Sequence, residues 1–366
     1  MKIAYDYQTF TQQTYGGISR YYVRLAEQLS AIEQQVKIFA PFHRNRHVSE
    51  LPAGMLQGTQ LSKFPPRTAR LFSMYNRMAS MGPINRWAPD IIHETYYSAQ
   101  PSGGDKLPRV TTIHDMIHER YPESFSRLDG SSKLKRASLA RADRVICISE
   151  NTKRDLMELF GTPESKISVI YHGFDHMKTR PKTTRDETAR PFLLYVGHRG
   201  GYKNFAGLVQ AVASSARLRN DFDIVAFGGG AFSREELQMF SDGGFKEGQI
   251  RQVGGSDEML GDLYDNAKAF VYPSVYEGFG LPPLEAMAHH CPVMSSCTSS
   301  MPEVIGDAAA FFDPTNRDDI RNVLETELYS DTRLQDLVNK GVERLKQFSW
   351  DKCAKQTLDA YRLAAS

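Results

Sequence analysis

Short apolar runs alternate with longer amphipathic ones along both halves of this 366-residue chain. In the first half, Lys2–Tyr7, Val36–Ala40, Ile91–His93, Val110–His114, Val145–Ser149 and Ile167–Tyr171 read as strands. Helical periodicity falls between them at Ile18–Ser30, Ser131–Ala142 and Glu150–Phe160. The second half repeats the pattern with strands at Phe192–Gly197, Ile224–Gly228, Ile250–Val253, Ala269–Pro273, Val293–Ser295 and Ala309–Phe312. Helices are expected there at Phe205–Arg217, Arg234–Phe240, Glu258–Ala267, Pro283–His289 and Arg317–Tyr329. Strand–helix alternation of this kind implies parallel sheets covered on both faces. The length fits two such domains, and the polar, Thr-rich stretch Lys178–Pro191 reads as the linker between them. The expected fold class is therefore α/β, with two successive doubly wound domains at 1–180 and 181–349. Ligands of open parallel sheets bind beyond the carboxyl ends of the strands, so function is sought there and in the cleft between the domains.

Several classes drop out. No apolar run approaches the ~20 residues needed to cross a bilayer, and the start, Met1-Lys2-Ile3-Ala4-Tyr5-Asp6, does not read as an export signal. Cys147, Cys291, Cys297 and Cys353 show neither CxxC pairing nor zinc spacing, so four buried free thiols and a cytoplasmic location are expected. Residues 1–180 carry 25 Lys/Arg against 17 Asp/Glu, a balance of +8, and residues 181–366 carry 20 against 26, a balance of −6. The basic excess is concentrated in Pro41–Trp87, where Arg44, Arg46, Lys63, Arg67, Arg70, Arg77 and Arg86 face a single acid, Glu50. Within it, Arg67–Met81 mixes arginines with Leu71, Phe72, Met74, Tyr75 and Met78, the make-up of a helix that lies on an anionic membrane surface. The plain alternative is a helix whose apolar stripe joins the core.

Three loops carry chemistry. In Tyr272-Pro-Ser-Val-Tyr-Glu277-Gly278-Phe279-Gly280-Leu281-Pro282-Pro283-Leu284-Glu285, a strand ends, a glycine loop follows and a helix starts at the double proline. Exposed amides at such a helix start suit a phosphate. Glu277 in the loop and Glu285 in the first helical turn supply carboxylates, which accept hydrogen bonds from hydroxyls. The bland reading is a loop acid plus a helix-dipole partner. In Gly197-His-Arg199-Gly200-Gly201-Tyr202-Lys203, two cations join another strand–glycine–helix turn and could hold a diphosphate; an exposed basic turn is the alternative. Gly16-Gly17 opens the first helix directly after the first strand, and His114-Asp115 ends another strand. No GxxxxGK[ST] or GxGxxG occurs. Asp221-Phe222-Asp223 precedes a strand instead of following one, and His93-Glu94 and His118-Glu119 lack the second histidine of HExxH, so no metal site is expected.

The combination of Glu277 and Glu285 in EGFGLPPLEA, Arg199 and Lys203, Gly16-Gly17 and His114-Asp115 resembles the retaining glycosyltransferases of family 4 over essentially the whole chain. The resemblance implies the GT-B fold, two Rossmann-like domains facing each other across a cleft. Residues 1–180 would form the acceptor-side domain, completed by a C-terminal helix within 350–366, and residues 181–349 the donor-binding domain. It implies that Glu285 binds the donor ribose, that Glu277 holds hydroxyls of the transferred sugar, and that Gly278, Phe279, Gly280 and Leu281 supply backbone contacts. Arg199 and Lys203 would neutralise the leaving diphosphate without a metal cofactor, Gly16 and Gly17 would approach it, His114 would touch the sugar, and Val253-Gly254 would meet the base. The Gly-Gly-Ile-Ser-Arg-Tyr-Tyr and Gly-Tyr-Lys-Asn-Phe segments look like bacterial enzymes of lipopolysaccharide O-antigen or capsule synthesis, several of them mannosyltransferases. The expected activity is hexosyl transfer, GDP-mannose being favoured over a UDP-sugar as donor. The acceptor is expected to be a glycan or lipid-linked saccharide, with peripheral contact to an anionic inner membrane through residues 41–87 and no nucleic-acid partner. The rival readings are a nucleotide-sugar 2-epimerase and a non-catalytic two-lobed binding protein.

Overall fold

The computed structural model describes residues 1–61, 63–66, 68–175 and 190–366. Arg67 and all of the expected linker Lys178–Pro191 except its last two residues lie outside them. The chain forms two compact units, one of Met1–Gly173 with Phe348–Ser366 and one of Phe174–Gln347.

Unit 1 holds seven strands: β1 (Lys2–Tyr5), β2 (Gln35–His43), β3 (Leu56–Gln60), β4 (Ile91–Glu94), β5 (Arg109–Ile113), β6 (Arg144–Cys147) and β7 (Ile167–Val169). They pair in the order β3-β2-β1-β4-β5-β6-β7, every pair parallel. The order reverses between β1 and β4, which places the ligand-binding crevice of such a sheet at their carboxyl ends. Ile3, Tyr5, Ile38, Ile91 and Val110 from the strands and Leu25 from the Gly17–Ala31 helix form the core, all fully buried. The Trp350–Ala365 helix, capped by Ser349, completes that core with Leu358 and Tyr361. Tyr361 Oη lies 2.7 Å from His93 Nδ1 and 3.1 Å from Tyr5 Oη.

Unit 2 holds β8 (Phe192–Val196), β9 (Asp223–Phe227), β10 (Ile250–Val253), β11 (Ala269–Tyr272), β12 (Val293–Ser296) and β13 (Ala309–Phe312). Its order is β10-β9-β8-β11-β12-β13, again parallel throughout, with the reversal between β8 and β11. Leu193, Tyr195, Ile224 and Val271 meet Leu208 and Val212 in its core.

Four expectations are corrected. β1 stops at Tyr5, and a short Gln8–Gln12 helix intervenes before Gly16. The expected Phe205–Arg217 helix breaks at Ser214 and Ser215, because Ser215 turns its hydroxyl to the Leu218 amide and starts a new helix, Ala216–Asp221. The basic helix spans Ala69–Trp87, with Pro83 inside it. Cys297 is exposed, whereas the other three thiols are buried.

The Ala69–Trp87 helix is built inside out. Its buried residues are Asn76, Ser80 and Ile84, while Leu71, Met74, Tyr75 and Met78 are 60%, 54%, 51% and 66% exposed. Asn76 holds the polar face inward by accepting from the Phe42 amide (2.8 Å) and donating to the Phe42 carbonyl (2.7 Å) and Thr11 Oγ1 (2.8 Å). An ordinary surface helix shows the reverse arrangement. Among the described residues no helix is long and apolar enough to cross a membrane.

Candidate active site

The carboxyl ends of β8 and β11 bring Lys203 and Glu277 together. The Lys203 ammonium donates to Glu277 Oε1 at 2.6 Å and to the Tyr272 hydroxyl at 3.4 Å. Two backbone ties fix the pair: the Val275 amide donates to the Tyr202 carbonyl (2.7 Å), and Asn204 Nδ2 donates to the Pro273 carbonyl (3.2 Å). An ammonium has three donors; two point to these oxygens and a third remains.

The Glu277–Gly280 loop is supported from β12. The Glu277 amide donates to Ser299 Oγ (2.9 Å), and the Ser300 hydroxyl donates to the carbonyls of Glu277 (2.9 Å) and Phe279 (3.2 Å). Gly280, at φ +91°, is the N-cap of the Leu281–Ala288 helix, and a Cβ there would sit 2.4 Å from Met301 Cε. The left-handed φ is what calls for glycine at this position. Glu285 lies in the second turn of the helix, not the first, and accepts from the Tyr264 hydroxyl at 3.3 Å. Sequence reasoning missed Ser299, Ser300, Tyr264 and Tyr272 as supporting residues. Only the Ser-Ser before Pro302 was a legible signal, as a helix start.

Arg199 does not join Lys203. Its guanidinium turns to Glu236, with Nε 2.6 Å from Oε1, and to the carbonyls of Gly228, Gly230 and Ala231. Among the described residues the two cations of this loop therefore lie on different carboxylates, Lys203 on Glu277 and Arg199 on Glu236. Val253 ends β10, and its carbonyl accepts from the Gly228 amide (2.8 Å), so the Val253-Gly254 turn adjoins the Arg199 cluster.

In unit 1, His114 follows β5 and is 7% exposed. Its amide donates to the Tyr97 hydroxyl at 3.3 Å, and its buried Nε2 has no hydrogen-bond partner among the described residues. Burial, and then the charge of Lys135, lowers its pKa to about 3, so the imidazole is neutral. Lys135, itself fully buried, donates to the Asp115 carbonyl (2.9 Å) and Glu119 Oε2 (2.8 Å), fixing the turn that carries His114. At the other glycine turn, a Cβ on Gly16 would strike Gln13 Oε1 at 2.2 Å, whereas one on Gly17 would meet nothing within 4 Å. Nothing inside unit 1 demands glycine at 17. The Asp-Phe-Asp segment is structural: Asp221 accepts from Tyr329 (2.7 Å) and Asp223 pairs with Arg190 (2.9 Å).

Comparison with known proteins fits this geometry. Residues 15–178 match the domain described as Glycosyltransferase Family 4, and residues 177–344 match Glycosyl transferases group 1. The chain is 30% identical over 371 residues to the O-antigen chain mannosyltransferase B of Escherichia coli, covering 95% of this chain and 96% of that protein. It is 28% identical over 301 residues to the serotype-specific mannosyltransferase WbdA of Escherichia coli, a longer protein of which the match covers 37%. The sucrose-phosphate synthase structure from Thermosynechococcus elongatus superposes with a TM-score of 0.76 at 19% identity, over 99% of this chain and 98% of that one. With two doubly wound parallel units, and with similarity to a named transferase along nearly its full length, this chain belongs to the glycosyltransferases of family 4.

Proposed function

We propose that this protein transfers mannose from a nucleotide diphosphate donor, GDP-mannose in preference to a UDP-sugar, to a glycan or lipid-linked saccharide during cell-surface polysaccharide assembly, with retention of anomeric configuration. The observation that carries the reading is the Lys203–Glu277 pair at the β8/β11 reversal, supported by the mannosyltransferase named as a full-length relative. Glu277 accepts hydroxyls of the sugar, and Lys203 uses its third donor on the departing diphosphate. Preorganised charge aimed at a leaving group usually lowers the barrier more than any other single effect. Glu285 takes the ribose, the Gly278–Leu281 backbone contacts the donor, and Val253-Gly254 meets the base. The neutral His114 offers Nε2 to a sugar hydroxyl, and the Gly16-Gly17 turn approaches the diphosphate, with open space at Gly17.

No carboxylate in this set is placed as a nucleophile, since Glu277 is paired with Lys203 and Glu285 accepts from Tyr264. Retention is then achieved on one face, the leaving phosphate oxygen taking the acceptor's proton as the new glycosidic bond forms, without a glycosyl-enzyme. No step calls for a metal, and transfer is expected to persist in EDTA. A thermal-shift panel of GDP-, UDP- and ADP-sugars tests the donor, because a ligand that binds only the folded chain raises its apparent stability. GDP-mannose should give the largest shift. A blank panel sinks the reading, and donor turnover without acceptor points to an epimerase instead.

The inside-out face of Ala69–Trp87 supports peripheral contact with an anionic lipid surface on the cytoplasmic side. Leu71, Met74, Tyr75 and Met78 would enter the headgroup boundary, with Arg70 and Arg86, both exposed, beside them. Vesicles containing anionic lipid should sediment the protein, and Leu71→Glu with Met78→Glu should release it. Equal binding to zwitterionic vesicles would refute the electrostatic part.

A further inference from the structure

The first cation of the β8 loop is consumed inside its own unit. Arg199 has a side chain only 5% exposed. Its Nε and Nη2 donate to the two oxygens of Glu236 at 2.6 and 3.2 Å, Nη1 donates to the carbonyls of Gly228 and Gly230 at 3.1 and 3.0 Å, and Nη2 also donates to Ala231 at 3.0 Å. A guanidinium has five N–H donors, and all five are used. Glu236 is fixed in turn: the Ser233 amide donates to its carboxylate at 2.7 Å, and its own amide donates to the Ser233 hydroxyl at 3.2 Å, closing a capping box at the start of the Arg234–Asp242 helix.

The segment Arg199 grips is conformationally demanding. Gly228, Gly229 and Gly230 have φ of +93°, +73° and +69°, and a Cβ on Gly229 would lie 2.6 Å from Arg199 Nη1. Only a glycine run permits the turn, and the guanidinium fills the space that the missing side chains leave. The same turn is bonded to both neighbouring strand ends. The Gly228 amide donates to the Val253 carbonyl (2.8 Å), Gln252 Nε2 donates to the Gly228 carbonyl (3.3 Å), and the Gly197 amide donates to the Phe227 carbonyl (3.0 Å). Three loops along one sheet edge, after β8, β9 and β10, are thus joined at Arg199.

We infer that Arg199 is a positioning residue: clasped to Glu236, it holds the Gly228–Ala231 turn, and through it the Val253-Gly254 end of β10, in the form that receives the donor nucleotide, and it does not touch the diphosphate. The inference rests on the reading of unit 2 as the nucleotide-sugar unit. Since all five Arg199 donors are used inside the unit while Lys203 uses two of its three, Lys203 is the cation of this loop that serves the phosphates.

Calorimetry on the full chain separates the two roles, with GDP and GMP as probes and UDP and UMP as a second pair. Arg199→Ala and Glu236→Ala should each weaken the mono- and the diphosphate by the same factor, roughly tenfold, in line with the loss of an orienting partner behind a binding group. The double variant should be little worse than either single one, because both break one clasp. In transfer assays the donor KM should rise while kcat stays within about threefold, the signature of lost binding without lost transition-state contact. If Arg199 ligates the diphosphate, Glu236→Ala frees it and leaves GDP affinity intact or tighter, while Arg199→Ala loses GDP and spares GMP. That pattern overturns the inference. Glu236→Gln keeps the side-chain volume and answers the same question if the alanine variants fail to fold: equal loss of GMP and GDP supports the clasp, and unchanged GDP affinity refutes it. A wild-type protein that binds none of the four nucleotides would instead defeat the nucleotide-sugar reading itself.

Discussion

At the carboxyl end of β5, His114 lies among Tyr21, Tyr22 and His172, buried and neutral; at that of β8, Lys203 and Arg199 are each closed onto a carboxylate. The two sheets share a topology but keep their strand-end groups in opposite electrostatic condition. At these two strand ends unit 1 presents an imidazole that burial keeps uncharged, and unit 2 presents cations that carboxylates hold. A neutral imidazole can exchange hydrogen bonds with hydroxyls without competing for phosphate. A paired ammonium is held in place before an anion arrives. Similar folds are thus prepared for different chemistry, and the contrast can be tested from each side.

The largest expected effect is acid instability concentrated in unit 1. Burial lowers His93, His114 and His172 from 6.5 to about 3 in the folded chain. Between those values the unfolded chain binds protons that the folded one does not, so stability is full above pH 6.5 and falls as the pH drops toward 3. Each histidine contributes up to about 1.4 kcal/mol per pH unit in that window. Both tryptophans, Trp87 and Trp350, belong to unit 1. Tryptophan fluorescence should therefore melt earlier than the circular dichroism of the whole chain as pH falls from about 6 to about 4. Coincident melts across that range would erase the contrast.

Next in size is Lys203→Ala, which should lower kcat by roughly 10²–10³-fold, the usual cost of losing one charge-stabilising donor. Near-full turnover would mean the ammonium serves only Glu277. Smallest is Gly17→Val. With no atom within 4 Å of its Cβ, this change should leave the stability within about ±0.5 kcal/mol, as is typical of neutral surface sites. It should nevertheless cut kcat/KM by about tenfold by filling the space left for the donor. An active Gly17→Val enzyme would remove unit 1 from diphosphate contact.

Apart from β2, which runs three residues past its expected end at Ala40, the expected strands were legible to within a residue or two because parallel strands buried on both faces are continuous apolar runs, as in Leu193–Tyr195 or Ala269–Tyr272. β3 was not legible: Leu-Gln-Gly-Thr-Gln is an almost wholly exposed edge strand with no apolar pattern. The Asp331–Leu345 helix, absent from the sequence expectations, does carry a readable stripe, Leu334, Leu337 and Leu345 behind a Ser330 cap. Of the site, Glu277, Lys203 and Gly280 could be read because strand–glycine–helix turns have a local signature. The destination of Arg199 could not. Its partner Glu236 is 37 residues away and reaches it only because a three-glycine turn folds between them. Likewise, the inverted face of Ala69–Trp87 depends on Asn76 meeting the Phe42 backbone, a tertiary contact that composition does not foretell.

The Trp350–Ala365 helix has a consequence for how the chain is made. Most of unit 1 precedes unit 2 along the chain, yet Leu358 and Tyr361 lie inside its core and Gly173 is cut to fit Trp350, where a Cβ would approach within 2.4 Å. A nascent chain generally folds its leading domain first. Here that domain has an open seam over Tyr5 and His93 until the residues around Tyr361 have been added. During synthesis unit 2 is the first to become whole, and the order of completion is the reverse of the order of translation.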